Sequence, residues 1–214
     1  MIRFGLIICI SILWLGAHIS VAMAEQTAQE LSARALEECQ KGRIAKERDV
    51  RMAHFERAEV IAEQAIAADD NSAEAHFSLF CTLGEQMRID GEPTMGAIFG
   101  YNRMMDELNR TLELDPQHID ALSSKGTLLV KLPGIMGGDS EKGVEILRDV
   151  IKREPMAINA RLVIAESIAD RGEQEEALNL ARTALKIAKD QNRQDLIPEA
   201  EETLANLQNG TGKH

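Results

Sequence analysis

The chain has 214 residues, of which 44% are hydrophobic and only 3% aromatic, and its formal net charge at pH 7 is −11. The length is enough for one sizeable domain or an array of repeats, and the composition, rich in Ala, Leu and Glu, favours helices over sheets. The negative charge argues against a nucleic-acid ligand, because no net positive field would draw phosphate groups to the protein.

The first 24 residues are typical of a secretory signal peptide. Arg3 supplies a positive start, residues 4–17 are uncharged and apolar, and the segment ends on Ala22-Met23-Ala24, a small-residue cleavage site. An apolar core of about 14 residues is shorter than the roughly 20 that a membrane-spanning helix needs. We therefore expect cleavage after Ala24 and a periplasmic or otherwise exported protein. The alternative is an uncleaved leader that anchors the chain in the membrane.

From residue 25 onward, apolar residues recur at helical spacing, and the predicted helices come in pairs. The boundaries between pairs share one frame, since Asp70, Pro116 and Pro155 are each followed five residues later by an alanine. Proline is tolerated only in the first turn of a helix, so each boundary ends one helix and begins the next. The intervals between boundaries are 46 and 39 residues. This pattern predicts about four degenerate helical hairpins.

The clearest repeat covers residues 158–189. Three small residues, Ala165, Ala181 and Ala184, stand where paired helices would pack closely, and Gly172 makes the turn between the helices. This pattern resembles the tetratricopeptide repeat, whose period is about 34 residues. The resemblance implies an all-α, tetratricopeptide-type helical-hairpin solenoid over residues 25–207. It also implies a protein that binds another protein.

The intervals between boundaries exceed the tetratricopeptide period, and the excess lies at the turn inside each early repeat. The inserted stretches are residues 41–51, which are basic, and residues 88–102 and 132–139, which are rich in glycine. We expect helix to resume near Met104 after the second stretch and at Glu141 after the third. The basic stretch favours either an anionic partner or a solvated extension of the helices. Equivalent turns of a solenoid lie side by side, so the insertions are expected to line one edge.

A narrower resemblance rests on the third insertion, where Leu132-Pro133 is followed by Gly137-Gly138-Asp139. Together with a leader, four degenerate repeats and inserted loops, this element is similar to the T component of tetratricopeptide-associated TRAP transporters. The resemblance implies a periplasmic protein whose partner is the substrate-binding protein of the transporter. The chain lacks the lipidation cysteine that some members carry, so membrane attachment is expected only if the leader stays uncleaved.

Apolar and aromatic side chains in the second and third insertions are candidate contacts with a partner or ligand, because a plain connector would be polar. The alternative is that they fold back as lids over the helices. Asp139 is expected to cap the helix that follows, and a ligand contact is its second interpretation. The seven candidates are Met95, Ile98, Phe99, Tyr101, Ile135, Met136 and Asp139.

The sequence contains no pattern typical of a catalytic, cofactor-binding or metal-binding site. There is no Gly-x-Ser-x-Gly elbow or HExxH motif, and the glycine-rich residues 91–100 lack the Lys-Ser/Thr end of a phosphate loop. None of His54, His76 and His118 lies three or four residues from another histidine or a cysteine, as a zinc site on one helix face would require. We therefore predict a protein-binding scaffold and no enzyme, cofactor or metal. The alternative is a small-ligand carrier with an apolar groove lidded by the loops at 88–102 and 132–139.

Residues 195–207 predict a polar capping helix, with Asp195 as its N-cap and Pro198 in its first turn, and residues 208–214 predict a disordered tail. Cys39 and Cys81, the cysteines that remain after cleavage, fall toward the far ends of the first helices in adjacent repeats. Their offset of about 4.5 Å along parallel helices argues against a disulfide without excluding one.

Overall fold

The computed structural model describes residues 27–90 and 95–210, and for residues 90 and 95–99 it describes the backbone alone. Within those residues the secondary structure is helical and contains no strand, so the all-α prediction is confirmed. The predicted signal peptide lies outside the described residues. The helices are α1 (27–44), α2 (Arg48–Ala68), α3 (Ala73–Asp90), α4 (Met95–Leu114), α5 (Ile119–Lys131), α6 (Ser140–Arg153), α7 (Ile158–Ala169), α8 (Gln174–Asp190) and α9 (Ile197–Gln208).

The described helices form the four predicted hairpins, α1–α2, α3–α4, α5–α6 and α7–α8, followed by α9. The chain divides into two compact units, and the division falls between Pro116 and Gln117. The first unit holds α1 to α4, and the second holds α5 to α9. None of the described helices combines the length and the apolar character that would carry it across a bilayer.

In the first unit, the ring of Phe55 on α2 packs against α1. Phe55 is fully buried together with Cys39 and Ala58. A Cβ atom at Gly42 would lie 2.4 Å from Cε1 of the Phe55 ring, so only glycine leaves room for the aromatic side chain there. The Sγ atom of Cys39 lies 3.5 Å from Oγ1 of Thr82, which joins α1 to α3. No disulfide joins Cys39 to the second cysteine, Cys81.

In the second unit, small residues let the helices of each hairpin approach closely. A Cβ atom at Gly126 would lie 2.7 Å from Cγ of Leu147, so α5 and α6 approach each other closely at this glycine. Ala165, Ala181 and Ala184 are all fully buried. Helix α7 contacts α5, α6, α8 and α9, and is therefore apolar around most of its circumference.

Two of the three predicted insertions lengthen helices. Residues 41–44 belong to α1 and residues 48–51 to α2, so the first hairpin turns in three residues, 45–47. The basic stretch thus extends the two helices, which was one of its two expected roles. The second insertion was predicted as a loop over 88–102, with helix resuming near Met104, and this prediction is wrong: α3 continues to Asp90 and α4 begins at Met95. The helical backbone tolerates the two glycines, Gly96 and Gly100, in the first turns of a 20-residue helix.

The third insertion is the connecting segment that the sequence predicted. It contains a short 3₁₀ turn, Gly134–Met136, and Gly137 follows with φ +86°, a left-handed backbone that favours glycine. A Cβ atom at Gly138 would lie 1.8 Å from the carbonyl oxygen of Leu132, so the chain folds back on itself there. The Asp139 side chain accepts a hydrogen bond from the backbone N–H of Lys142 at 3.0 Å, which confirms its role as the N-cap of α6.

The C-terminal helix begins at Ile197, with Pro198 in its first turn as predicted. Its N-cap is Leu196, so the prediction of Asp195 as N-cap is wrong. The Asp195 carboxylate is instead held by the Arg193 guanidinium, with Nε–Oδ1 and Nη2–Oδ2 distances of 2.9 and 2.7 Å. Both carboxylate oxygens of Asp195 therefore bind Arg193, and the side chain does not cap the helix.

Candidate interaction groove

The second unit contains a cavity of about 620 Å³. Its lining comes from the last turn of α5, the start of α6, the C-terminal half of α7 and one face of α9. The lining residues are Val130, Lys131, Ser140, Glu166, Ser167, Asp170, Arg171, Glu199, Glu202, Thr203, Asn206 and Leu207. We call this cavity the groove.

Helix α9 forms one wall of the groove because it lies beside α7 and runs in the same direction. The Thr203 hydroxyl on α9 donates a hydrogen bond to Oε1 of Glu166 on α7 at 3.2 Å. One turn later, the carbonyl oxygen of Leu207 accepts a hydrogen bond from the side chain of Gln174, the first residue of α8. At the opposite end, Ala200 is buried in one apolar cluster with Ile158 and Leu162 of α7.

This packing buries one face of α9 and leaves the neighbouring face to line the groove. Ala200, Thr203 and Leu207 are buried toward the other helices. Glu199 and Glu202, together with Asn206, repeat at helical spacing beside that buried stripe and line the groove. The sequence predicted α9 as a polar capping helix and not as the wall of a groove. The signal was present in the polar residues at i, i+3 and i+7.

Two of the charged residues in the groove are held by neighbours. Lys131 forms an ion pair with Glu166. The Arg171 guanidinium donates to neutral oxygens, with Nη2 at 3.2 Å from the carbonyl oxygen of Ser140 and at 3.1 Å from the hydroxyls of Ser140 and Ser167. The two hydroxyls lie 2.8 Å apart. Arg171 is thereby positioned at the α6 end of the groove without a carboxylate partner among the described residues.

Three carboxylates give the groove its negative character. Asp170, Glu199 and Glu202 line it, and none of their carboxylates forms a hydrogen bond or ion pair within the described part of the chain. The lining as a whole contains four carboxylates and two cationic side chains, so its formal charge is negative by two. Charges of one sign in a concave surface concentrate the electrostatic field there.

The third insertion leaves and re-enters the fold at the rim of the groove, since Lys131 and Ser140 line the cavity on either side of it. At its tip Ile135 is 97% exposed and Met136 is 50% exposed. The lid interpretation is therefore wrong for these two side chains, which do not cover a groove. Asp139 is occupied as a helix cap and is not among the lining residues.

The candidates of the second insertion lie on α4, in the first unit. Tyr101 is half-buried on that helix. Met95, Ile98 and Phe99 belong to its first turns, and their side chains lie outside what the structure describes. The structure therefore does not test these three as contact residues.

The isolated histidines make structural contacts. His76 has Nδ1 2.6 Å from Oε2 of Glu107 on α4 and Nε2 3.1 Å from the carbonyl oxygen of Asp70. His118 is the N-cap of α5 and accepts a hydrogen bond from the backbone N–H of Ala121. Across residues 27–90 and 95–210, no three His, Cys, Asp or Glu side chains converge as metal ligands would.

The chain resembles solved tetratricopeptide proteins in fold. No family model matches the chain, and no curated protein matches it. MamA, residues 41 to the end, from Desulfovibrio magneticus RS-1 superposes with a TM-score of 0.50 at 15% identity, over 87% of this chain and 94% of that one. TTC0263, a thermophilic TPR protein of Thermus thermophilus, superposes with a TM-score of 0.52 at 15% identity, over 83% of this chain and 99% of that one.

The hairpins, their small crossing residues and these neighbours define the class: the fold is all-α and built of tetratricopeptide-type helical hairpins.

Proposed function

We propose that this chain is an exported protein-binding scaffold without catalytic activity, and that the groove of the second unit receives its partner. The observation that carries the proposal is the groove itself, whose wall on α9 presents two carboxylates without counter-charges among the described residues. An exposed apolar pair, Ile135 and Met136, stands on the segment at its rim. Polar groups around apolar anchors are typical of protein–protein contacts.

The proposed location is the periplasm, after cleavage of the leader at Ala24. The charge and length of residues 1–24 support this location. The resemblance to the T component of TRAP transporters nominates the transporter's substrate-binding protein as the first partner to test.

The alternative of a lidded small-ligand carrier has less support. Ligand pockets are mostly apolar with a few polar groups, whereas six of the twelve groove-lining residues are charged. The two segments expected to serve as lids are also unsuited to that role, because residues 95–102 are helical and Ile135 points into solvent.

Site-specific photocrosslinking in living cells tests the proposal. A photoreactive amino acid at Asn206, in the groove, is compared with the same group at Arg182, which is exposed on α8 and outside the groove. We expect a defined adduct from position 206 only, in the periplasmic fraction, with the mature chain beginning at Glu25. Mass spectrometry of the adduct then shows whether the partner is a TRAP substrate-binding protein. Equal adducts at both positions, or none, would contradict the scaffold proposal.

A further inference from the structure

We infer that the groove recognises a segment of the partner that carries lysine or arginine side chains, one of which sits between Glu199 and Glu202. The inference rests on the proposed function and names the chemistry of the partner. Within the groove, Glu166 is neutralised by Lys131, whereas Glu199 and Glu202 form no ion pair with a cation of the described residues. A bound segment that brings its own cations supplies the missing counter-charge.

The unpaired carboxylates occupy two levels of the groove. Thr203 and Glu166 lie at the same height along the axes of α9 and α7, because the two are hydrogen-bonded. The two helices run in the same direction, so Leu207 and Asp170, four residues further on, also lie at one height. At a rise of 1.5 Å per residue, Glu199 then lies about 12 Å along the helix axis from the Asp170 level. An extended segment covers that distance in about four residues. Cationic side chains four positions apart therefore reach both levels from one face of the segment.

The two levels are not equivalent. Arg171 lies at the Asp170 level and carries a positive charge bound only to neutral oxygens. It offsets part of the negative field at that end. Lys131, the other cation that lines the groove, is ion-paired with Glu166, so the charges of Glu199 and Glu202 are not offset by an ion pair. The preference for a cation is consequently strongest at the Glu199 end, and a segment binds in one direction.

Apolar contacts accompany the charges. Val130 and Leu207 line the groove, and Ile135 and Met136 stand at the tip of the segment that borders it. A second copy of this chain is disfavoured as the occupant, because two molecules of net charge −11 repel each other. The recognised segment is thus basic, with an apolar side chain beside its cations.

A displayed library of random dodecapeptides tests the inference without assuming a partner. The library is selected on the immobilised chain, residues 25–214, and the recovered sequences are compared with the unselected pool. We expect enrichment of lysine and arginine about four residues apart, next to a large apolar residue. The recovered peptides should bind about tenfold more weakly to the double variant Glu199→Gln/Glu202→Gln, and binding should fall as salt is added.

The matched control is Glu145→Gln/Glu175→Gln, which changes the net charge equally at two exposed glutamates outside the groove. It should bind the peptides as the wild type does, and circular dichroism should show both variants folded. If recovered peptides depend on the groove but are neutral or acidic, the basic chemistry is wrong and the scaffold function stands. If no recovered peptide depends on the groove, the inference and the groove's proposed role fail together.

Discussion

Thr203 on α9 donates a hydrogen bond to the Glu166 carboxylate on α7, and this contact sets which face of α9 looks into the groove. Thr203 is buried, with 4% of its surface exposed, so the bond holds the two helices at a defined register. Glu199 and Glu202 face the groove because Thr203 faces α7. The electrostatic character of the candidate site thus follows from the orientation of α9, to which this hydrogen bond and the buried side chains of Ala200 and Leu207 contribute.

Replacing Thr203 with valine should remove this register contact while preserving side-chain shape. We expect a loss of about 1 kcal/mol in the free energy of unfolding, measured by urea denaturation, because a buried hydrogen bond contributes about that much. Thr183→Val is the control, since the Thr183 hydroxyl bonds only to a carbonyl of its own helix on an exposed face. Equal effects of the two substitutions would show that the contact with Glu166 does not stabilise the fold.

The third insertion should tolerate alanine at one glycine and not at another. Gly138→Ala would place a Cβ atom 1.8 Å from the carbonyl oxygen of Leu132, whereas a Cβ atom at Gly134 meets nothing within 4 Å. We expect Gly138→Ala to cost about 1–3 kcal/mol through forced backbone movement, and Gly134→Ala to leave the melting temperature nearly unchanged. A stable Gly138→Ala variant would contradict the close approach described at this turn.

The apolar tip should matter for binding and not for stability. Ile135 and Met136 are exposed, so the double variant Ile135→Ser/Met136→Ser should keep the melting temperature of the wild type. Binding of the partner captured at the groove should weaken, measured by fluorescence anisotropy. A buried comparison, Leu147→Ala, should cost about 2–5 kcal/mol. A large drop in melting temperature for the tip variant would restore the lid interpretation.

Stability of the first unit should fall in acid because of Glu38. Hydrogen bonds from Lys41, and then from His54 and Arg57, lower the pKa of the Glu38 carboxyl from 4.5 to about 2. A carboxyl whose pKa is lower in the folded state stabilises the fold above its unfolded pKa. That contribution is lost as the pH falls from about 4.5 to about 2.

The variant Glu38→Gln should therefore show a flatter decline in unfolding free energy across this pH range than the wild type. Glu30→Gln, at an exposed position on the same helix, serves as the control and should follow the wild-type curve. Urea denaturation at several pH values measures both. If Glu38→Gln and the wild type decline in parallel, the carboxylate does not carry the acid sensitivity.

The hairpins could be predicted from the sequence because their determinants are local. A proline in the turn between two helices, such as Pro155, and a glycine at a left-handed turn, such as Gly172, each act within a few residues. The cap at Asp139 is local in the same sense. These features identified the fold class and the third insertion.

The start of α4 could not be predicted in this way, because glycines at 96 and 100 have the local signature of a loop. The 20-residue helix nevertheless includes them, since extending a helix that has already formed costs little for each added residue. The N-cap of α9 failed for a related reason, since the Asp195 carboxylate was already taken by Arg193.

Four helical hairpins and a final helix follow from the amino-acid sequence alone, since repeat spacing and helix punctuation are written in neighbouring residues. The position and the charge of the groove emerge only when the helices pack. Glu166 and Glu199 are 33 positions apart in the chain, and their convergence depends on the packing of α9 against α7. That packing is a sum of long-range contacts among buried side chains, which no local pattern specifies.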